Sequence, residues 1–297
     1  MSPITVAIII INYNGKKDTV ECLSSIGVHI HNSERLHFEI ALLDNHSSEP
    51  ISEDDLPVIN CKVHFFRSEY NSGFAGGNNK AIELIKKRVD SIDYYFLLNN
   101  DTVLIDDSLI RLVVETENSE YAVTGIVNYY YIHPDECWQA GSIVRPKCLS
   151  GRSVKPVGDN NSFTEVDTVP GSSLLIKSDV LDEIGLLDER FFAYYEELDW
   201  CLRAKENGYK VAFFNGTRLL HKVGKSSPSQ TKHYLRTRNT LLLYSIHYKN
   251  YLFIARLRVF LRTVKCIVTE KNLKYWQSYK KGVEDYMNND FGKGSLL

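Results

Sequence analysis

The first hundred residues contain four short apolar runs: ITVAIIII, FEIALLD, KVHFFR and YYFLLNN. Segments with helical spacing lie between some of these runs. Apolar residues recur at helical spacing across 17–28, 77–88 and 108–117, and a fifth strand-like run, YAVTGIV, follows the last of these. Short apolar strands that alternate with helices are typical of βαβ units. The sequence therefore predicts an α/β fold with a mostly parallel central sheet and helices on both faces.

The remainder of the chain is less uniform. Residues 128–167 are rich in Tyr, Pro, Gly and Ser and predict hairpins or a flap. After them we expect a strand and a short helix with Ser178 as its N-cap, and then a helix over 196–207 that ends at a glycine. The run YKVAFF predicts one more strand, and the pattern is helical from Thr231 onward.

Charge is distributed unevenly along the chain. The net charge is only −2, yet positions 207–269 contain twelve Lys or Arg and no Asp or Glu. Such asymmetry predicts contact with phosphates, nucleic acid or a lipid surface. The mixture of aromatic, aliphatic and basic residues in 231–268 favours helices that lie on an anionic membrane, although packing against the rest of the chain or a second subunit explains it equally well. No nucleic-acid-binding motif accompanies the charge, so we expect no nucleic acid partner.

Three further features bear on the compartment. The six cysteines are scattered without a C-x-x-C pair, which favours free thiols in a reducing cytosol. The N-terminal apolar run lacks a basic flank and a cleavage site, so we interpret it as a first strand and not as a signal peptide. No window of 18 uninterrupted apolar residues predicts a spanning helix. We expect a cytoplasmic protein, with peripheral contact to the inner face of the plasma membrane as an option.

Polar residues follow each of the first four predicted strands. In parallel sheets, ligands bind at the carboxyl ends of the strands. Each cluster alone is explained by turn chemistry, but four at one edge predict a nucleotide cleft in which a carboxylate, Asp44, suits a base or ribose and backbone amides suit phosphate. The predicted donor-binding residues are Asn12, Asn14, Asp44, Asn45, Gly73, Gly77, Asn78, Asn79, Asn99 and Asn100.

Asp101 is the only charged residue at the end of the fourth predicted strand. A carboxylate beside a nucleoside diphosphate repels it unless a divalent cation lies between them. Carboxylate and phosphate oxygens are the ligands that Mg²⁺ and Mn²⁺ prefer. The competing interpretation is that Asp101 caps the turn before Thr102.

Taken together, these motifs resemble a known enzyme family. IIIINYNG, LLDNHSS, NSGFAGGNNKA, FLLNNDTVL, the segment from GSSLLIK to ENGYKV, and HKVGKSS run in order over residues 4–227. They resemble inverting glycosyltransferases of family 2 with the GT-A fold, in the bacterial rhamnosyltransferase-like branch that builds surface polysaccharide. The resemblance implies a catalytic domain at 1–227, with a nucleotide-sugar half to about 127 and an acceptor half after it, and a basic helical region at 228–297.

The resemblance also implies substrates. The donor would be a nucleoside diphosphate sugar with UDP or dTDP, rhamnose being one choice of sugar. The acceptor would be a saccharide or a lipid-linked saccharide, the cofactor Mg²⁺ or Mn²⁺, and a homodimer is an option. In the family, a D-x-D motif ends the fourth strand; here it reads Asn99-Asn100-Asp101, so the last acid alone is kept.

Several roles follow from the resemblance. Asp101 and His221 would hold the metal. Inverting transfer needs a base that takes the proton of the acceptor hydroxyl, and Glu197, with Glu196 as second choice, would supply it. The alternative is that both acids only favour the N-terminus of their helix.

Other residues would surround the sugar and the diphosphate. Ser172, Ser173 and Asp199 would lie on the acceptor side, with Asp199 also expected to position Arg203 or to cap the helix. Trp138 and Trp200 would stack on sugar rings or pack in the core. Lys222 and Arg236 would face the diphosphate, and Arg238 would either join them or lie on a solvated helix face.

Two other functions fit parts of the sequence. A catalytically silent nucleotide- or sugar-binding scaffold is supported by Asn99 in place of an acid. A sugar-nucleotide pyrophosphorylase shares the sheet, but NYNGKKD lacks its G-x-G-T-R phosphate loop.

Overall fold

A computed structural model describes residues 3–148, 150–158, 161–223 and 229–294. In these ranges the strands are β1 (Ile4–Asn12), β2 (Leu36–Asp44), β3 (Lys62–Arg67), β4 (Tyr94–Asn99), β5 (Thr102–Leu104), β6 (Val123–Tyr130), β7 (Cys137–Gln139), β8 (Gly141–Arg145), β9 (Ser150–Val154), β10 (Phe163–Val166), β11 (Ser173–Lys177) and β12 (Val211–His221). The helices are α1 (Lys16–His29), α2 (Gly73–Ile85), α3 (Ser108–Glu117), α4 (Ser178–Ile184), α5 (Glu196–Glu206), α6 (Ser229–His247), α7 (Leu252–Glu270) and α8 (Lys274–Asn288).

One mixed sheet of ten strands, counted over the described ranges, forms the centre of the fold. Its main order is β10-β12-β6-β11-β4-β1-β2-β3, with β5 on β12 and β7 on β6. The half that contains β4, β1, β2 and β3 is entirely parallel, as the βαβ pattern predicts. Antiparallel β11 joins that half to β6. The predicted α/β architecture is confirmed.

Both faces of the sheet are buried. Along β1, Ile8 and Ile10 join a core with α1 and α3, whereas Ala7 and Ile9 join a second core with α2, α4 and α5. Neighbouring residues of a strand point to opposite faces, so a strand that is covered on both sides must be apolar at every position. This is the physical reason for the unbroken run ITVAIIII.

The three C-terminal helices pack on one another and on the preceding part of the chain. Leu242 and Leu243 of α6 share a small core with Phe191 and with Leu202 of α5. On the other side of α6, Leu241 packs with Ala255 of α7. Among the described residues, no helix has the length and hydropathy needed to cross a membrane.

The structure differs from three sequence-based boundaries. Helix α2 begins at Gly73, earlier than the predicted start at Gly77, because the glycine-rich loop itself forms the first turn. Ser178 is the first residue of α4; Lys177 occupies the N-cap and no side chain caps the helix. The strand predicted at YKVAFF continues past an irregularity between Phe214 and Leu219 and ends at His221.

Candidate functional site

The loops after β1 and β2 are tied together by buried polar side chains. Nδ2 of Asn12 donates to Oδ2 of Asp44 over 2.8 Å, and Oδ1 of Asp44 accepts the backbone N–H of Ser47. Oδ1 of Asn14 accepts both the backbone N–H and the hydroxyl of Ser48. Asn12 and Asp44 have no exposed surface. They therefore shape the edge of the cleft from beneath, whereas the sequence predicted that Asp44 would face a base or ribose directly.

The third loop is joined to the second by Asn45. Its Nδ2 donates to the carbonyl of Gly73 over 2.9 Å, and its Oδ1 accepts the backbone N–H of Ser72. Gly73 has φ +76°, and a Cβ there would collide with the carbonyl of Phe192. A Cβ at Gly77 would lie 3.1 Å from Nδ2 of Asn45. Gly73 is thus required by the close approach of two loops, whereas a larger residue at Gly77 would need Asn45 to shift by a few tenths of an ångström.

The remaining predicted donor residues also make internal contacts. Asn78 bonds the carbonyl of Phe74 one turn earlier in α2, and Asn79 bonds both the carbonyl and the backbone N–H of Leu187. Nδ2 of Asn100 donates to the hydroxyl of Thr19 over 2.8 Å. These side chains stabilise the strand edge, and Oδ1 of Asn99 is buried there without a hydrogen-bond partner.

Asp101 and His221 meet where β4 and β12 end. Residue 102 of β5 pairs with His221, and the backbone N–H of Lys222 donates to the carbonyl of Asp101 over 3.0 Å. Nε2 of His221 lies 3.1 Å from Oδ1 of Asp101, but the ring N–H is not aligned for a hydrogen bond. Trp138 packs edge-on against the imidazole, with 4.6 Å between ring centroids.

This pair fits a divalent cation. Oδ1 of Asp101 and Nδ1 of His221 are buried without a hydrogen-bond partner, and a buried polar atom in that state is expected to have a ligand. Burial disfavours the charged form of Asp101, but His221 and Lys222 outweigh it and hold its pKa below the usual range. No cluster of three or more His, Cys, Asp or Glu occurs in the described part of the chain.

Lys222 is already paired. Its Nζ lies 2.6 Å from a carboxylate oxygen of Asp18 and 2.6 Å from one of Glu21, both in α1. Its side chain is nearly buried. The predicted contact of Lys222 with a diphosphate would compete with these two ion pairs, and in this structure the residue fixes the loop after β12 to α1.

A strained turn carries the two acids that begin α5. Phe192, Tyr194 and Tyr195 all have positive φ, between 64° and 79°, which is uncommon for residues other than glycine. Such strain persists only where the surroundings enforce it, and it concentrates at functional sites. Here it turns the chain so that Glu196 and Glu197 occupy the first turn of α5.

The two carboxylates lie in different surroundings. Glu196 is 5% exposed, and its Oε2 has no hydrogen-bond partner. Burial, and next the neighbouring Glu197, raise the pKa of Glu196 well above its ordinary value. Glu197 is half-buried beside Gly171 of the loop before β11. Burial also raises its pKa, while backbone amides at the start of α5 and the guanidinium of Arg236 oppose that rise.

The C-terminal helix α6 holds the strained turn in place. Nδ2 of Asn239 lies 2.8–2.9 Å from the carbonyls of Phe191, Ala193 and Tyr194. Nη2 of Arg238 donates to the carbonyls of Arg190 and Phe191. Both side chains have no exposed surface, so neither sequence interpretation of Arg238, a solvated face or a ligand contact, was right. Arg236 is exposed near Glu197 and Tyr195.

We expect Asn239→Ala to lower kcat by about 100-fold while it leaves the KM for donor unchanged, because a shift of about 1 Å in a reacting group has an effect of that size. The lost hydrogen bonds should also lower the free energy of unfolding by about 1–3 kcal/mol. Steady-state kinetics and denaturant unfolding measure both effects.

Asn215→Ala is the matched control for Asn239→Ala. Asn215 is a buried asparagine whose Nδ2 bonds Ser162 and Thr164 instead of the turn before α5. The Asn215→Ala protein should have a lower free energy of unfolding without a comparable loss of kcat. Equal kcat in the Asn239 and Asn215 variants would mean that Asn239 only stabilises the fold.

The acceptor-side residues are placed as follows. Ser172 and Ser173 are buried, and both hydrogen-bond Asn128 of β6. Asp199 pairs with Arg203 as expected, through a 2.9 Å contact, and also with His247 of α6. Trp200 is a core residue whose Nε1 donates to the carbonyl of Gly185. Sequence reasoning missed Asn128 and Asn239, since an isolated asparagine gives no signal of its distant partners.

Comparison with known proteins identifies the family. The profile of glycosyl transferase family 2 matches residues 7–185, which include the four strand ends, Asp101 and the Ser172–Ser173 loop. The chain belongs to glycosyl transferase family 2. The family 2 match ends before α5, so it does not include the acids of that helix.

Curated relatives of this family 2 chain are sugar transferases. It is 29% identical over 218 residues to the low-salt glycan biosynthesis hexosyltransferase Agl10 of Haloferax volcanii, covering 69% of this chain and 63% of Agl10. It is 26% identical over 254 residues to the dTDP-rhamnosyl transferase RfbF of Shigella flexneri, covering 78% of this chain and 80% of RfbF. The chain thus spans less than two thirds of the length of Agl10.

Solved structures share the fold. GalNAc-T7 with UDP, GalNAc and Mn²⁺ superposes with a TM-score of 0.59 at 15% identity, over 84% of this chain and half (50%) of that one. Mannosyltransferase PcManGT from Pyrobaculum calidifontis, with GDP-Man and Mn²⁺, gives 0.56 at 13% identity, over 100% of this chain and 77% of that one. These likenesses show the GT-A fold of this family 2 chain and nothing of its substrates.

Proposed function

We propose that this chain transfers a sugar from a nucleoside diphosphate donor to a hydroxyl group of a saccharide or lipid-linked acceptor, with inversion at the anomeric carbon and with Mg²⁺ or Mn²⁺. The observation that carries the proposal is the pair formed by Asp101 and His221. Each has a buried atom without a hydrogen-bond partner, and both lie at the strand edge where GT-A enzymes bind nucleotide.

In the proposed reaction the residues have the following roles. Asp101 and His221 would hold the metal, which neutralises charge on the diphosphate as it leaves. Glu197 accepts the proton of the acceptor hydroxyl while that oxygen forms its bond to the anomeric carbon. The bond from that carbon to the phosphate oxygen breaks on the opposite side, and the diphosphate departs with the electron pair. Arg236, exposed near Glu197, adds positive charge on the same side.

Relatives supply the substrate class. RfbF is named a dTDP-rhamnosyl transferase and WbbL of Escherichia coli a rhamnosyltransferase; the latter is 24% identical over 208 residues, 64% of this chain and 75% of WbbL. The chain would therefore use dTDP-rhamnose or a similar donor in the synthesis of surface polysaccharide. Residues 1–227 would form the catalytic domain in the cytoplasm, and 228–297 a basic helical region that supports it.

Thermal-shift screening tests the donor assignment. UDP, dTDP and GDP are added to the protein with and without Mn²⁺, because a ligand that binds only the folded state raises the melting temperature. A Mn²⁺-dependent rise with at least one nucleotide is expected, and dTDP should give the largest. If none shifts the transition, the donor assignment is wrong. Binding without transfer from any donor would favour the silent scaffold, for which Asn99 in place of an acid is the argument.

A further inference from the structure

Helix α7 is apolar on the side that faces away from the protein. Its inward side, with Ala255, Val259 and Thr263, is buried. The outward side should be polar in a helix that faces water. Instead, its exposed residues include seven large apolar side chains: Phe253 (78%), Ile254 (40%), Leu257 (49%), Phe260 (38%), Leu261 (54%), Val264 (39%) and Val268 (69%).

This apolar stripe is continuous. Leu257, Leu261, Val264 and Val268 recur at spacings of four, three and four residues, which places them on one line along the helix. Beyond the end of α7, Leu273 is 75% exposed and Trp276 is 39% exposed. Trp276 stacks on Tyr279 and contacts the edge of Phe260, so the start of α8 extends the same surface. We call these residues of α7 and early α8 the α7 surface.

Cations border the α7 surface. Arg256 lies on one flank of the stripe at helical spacing, and Arg258 and Lys265 lie on the other; all three are exposed. Lys271 and Lys274 continue the positive rim toward α8. No Asp or Glu occurs from position 207 to 269, so nothing in α6 or in α7 before its last residue offsets this charge.

We propose that the α7 surface docks on a lipid bilayer that contains anionic lipid. An apolar stripe between basic flanks, with a tryptophan at its end, matches the interfacial layer, where acyl chains meet negatively charged headgroups. A second copy of this chain is a poorer occupant. In a two-fold interface the same patch meets itself, and the rims of Arg and Lys would then oppose each other without intervening acids.

Docking there would place α7 between the bilayer and the turn before α5. Nη2 of Arg262, on α7, lies 3.4 Å from the hydroxyl of Thr237 on α6, and Arg262 also interacts with Tyr195. One layer of side chains thus separates α7 from the residue that precedes Glu196. A lipid-linked acceptor would reach Glu197 from that side, a consequence that rests on the proposed function, whereas the docking itself does not.

Vesicle flotation tests the docking with the full chain. Vesicles of phosphatidylcholine alone are compared with vesicles of phosphatidylcholine and phosphatidylglycerol. We expect binding to the anionic vesicles only, weakened by added salt. Leu257→Ser with Leu261→Ser, and separately Arg258→Glu with Lys265→Glu, should each weaken binding by about 10-fold or more. All four positions are exposed, so the variants should keep the melting temperature of the unmodified protein.

Matched controls use exposed residues elsewhere. Val28→Ser in α1 removes an apolar side chain that is 75% exposed, and Lys87→Glu reverses an exposed cation just beyond α2. Both should bind anionic vesicles normally. The proposal is wrong if the unmodified protein does not bind these vesicles, or if the α7 variants bind as well as the controls. It is also wrong if the unmodified protein is a dimer that does not bind vesicles and if the Leu257 and Leu261 substitutions convert that dimer to monomers.

Discussion

Glu197→Gln is expected to lower the rate of sugar transfer by about 10²–10⁴-fold, the range that a positioned general base contributes. Glutamine keeps the shape of the side chain but cannot accept the proton of the acceptor hydroxyl. Donor affinity should stay within about twofold, because the proposed nucleotide site is formed by the strand edge and Asp101 and does not include Glu197. Release of nucleoside diphosphate in the presence of acceptor measures the rate, and calorimetry with the nucleotide measures the affinity.

Glu196→Gln is the matched control, since it makes the same chemical change one residue earlier. Glu196 is 5% exposed, whereas Glu197 is half-buried and more accessible to an acceptor. We therefore expect Glu196→Gln to retain most of the transfer rate. If transfer survives in the Glu197 variant and disappears in the Glu196 variant, the base is Glu196.

The Glu196 variant should also change how stability depends on pH. The raised pKa of Glu196 means that the folded chain holds this proton to higher pH than the unfolded chain does. Stability should therefore fall as the pH rises from the ordinary carboxyl pKa through the raised one. Glutamine has no proton to lose, so the Glu196 variant should gain about 1–3 kcal/mol in denaturant unfolding at alkaline pH and nothing at acidic pH.

Asp101→Asn is expected to weaken Mn²⁺-dependent nucleotide binding by at least about 100-fold, because even residues that only support a metal ligand contribute about 10–100-fold. Asp101 is the only acid in the segment Asn99-Asn100-Asp101, so neither of the two residues before it can replace its carboxylate. Titrating the nucleotide with and without Mn²⁺ measures the effect independently of catalysis.

Asp107→Asn is the control for Asp101→Asn. Asp107 is exposed at the start of α3, and its side chain makes no capping hydrogen bond. The Asp107→Asn protein should bind nucleotide and metal as the unmodified protein does. Mn²⁺-dependent binding that persists in the Asp101 variant would remove Asp101 from the metal site and leave the role of His221 without support.

Much of the fold follows from the sequence because burial on both faces of a parallel sheet requires apolar residues at every position. Because of that requirement, β1, β2 and β4 could be predicted from their apolar runs. The predicted end of β4 then indicated Asp101 as a candidate site residue. The extent of β12 was harder to predict. Its irregularity after Phe214 interrupts the pattern, although the strand continues to His221 and brings that residue to Asp101.

The sequence could not predict which polar residues of the site bond to other residues and which remain without a hydrogen-bond partner. A loop sequence shows that Asp44 is polar, but not that its oxygens are occupied by Asn12 and Ser47. Arg238 and Asn239 looked like part of a basic helix, yet their partners are carbonyl groups more than forty residues earlier in the chain. Side-chain contacts of this range depend on tertiary packing, and neither composition nor periodicity records them.

Nucleoside diphosphate release from a panel of UDP-, dTDP- and GDP-sugars tests the central claim most directly. The unmodified protein, Glu197→Gln and Asp101→Asn are compared with Mn²⁺ and with chelator. The account predicts release from at least one donor by the unmodified protein, only with metal, and a loss of that release in both variants. Release that is independent of metal and equal in all three proteins would contradict it.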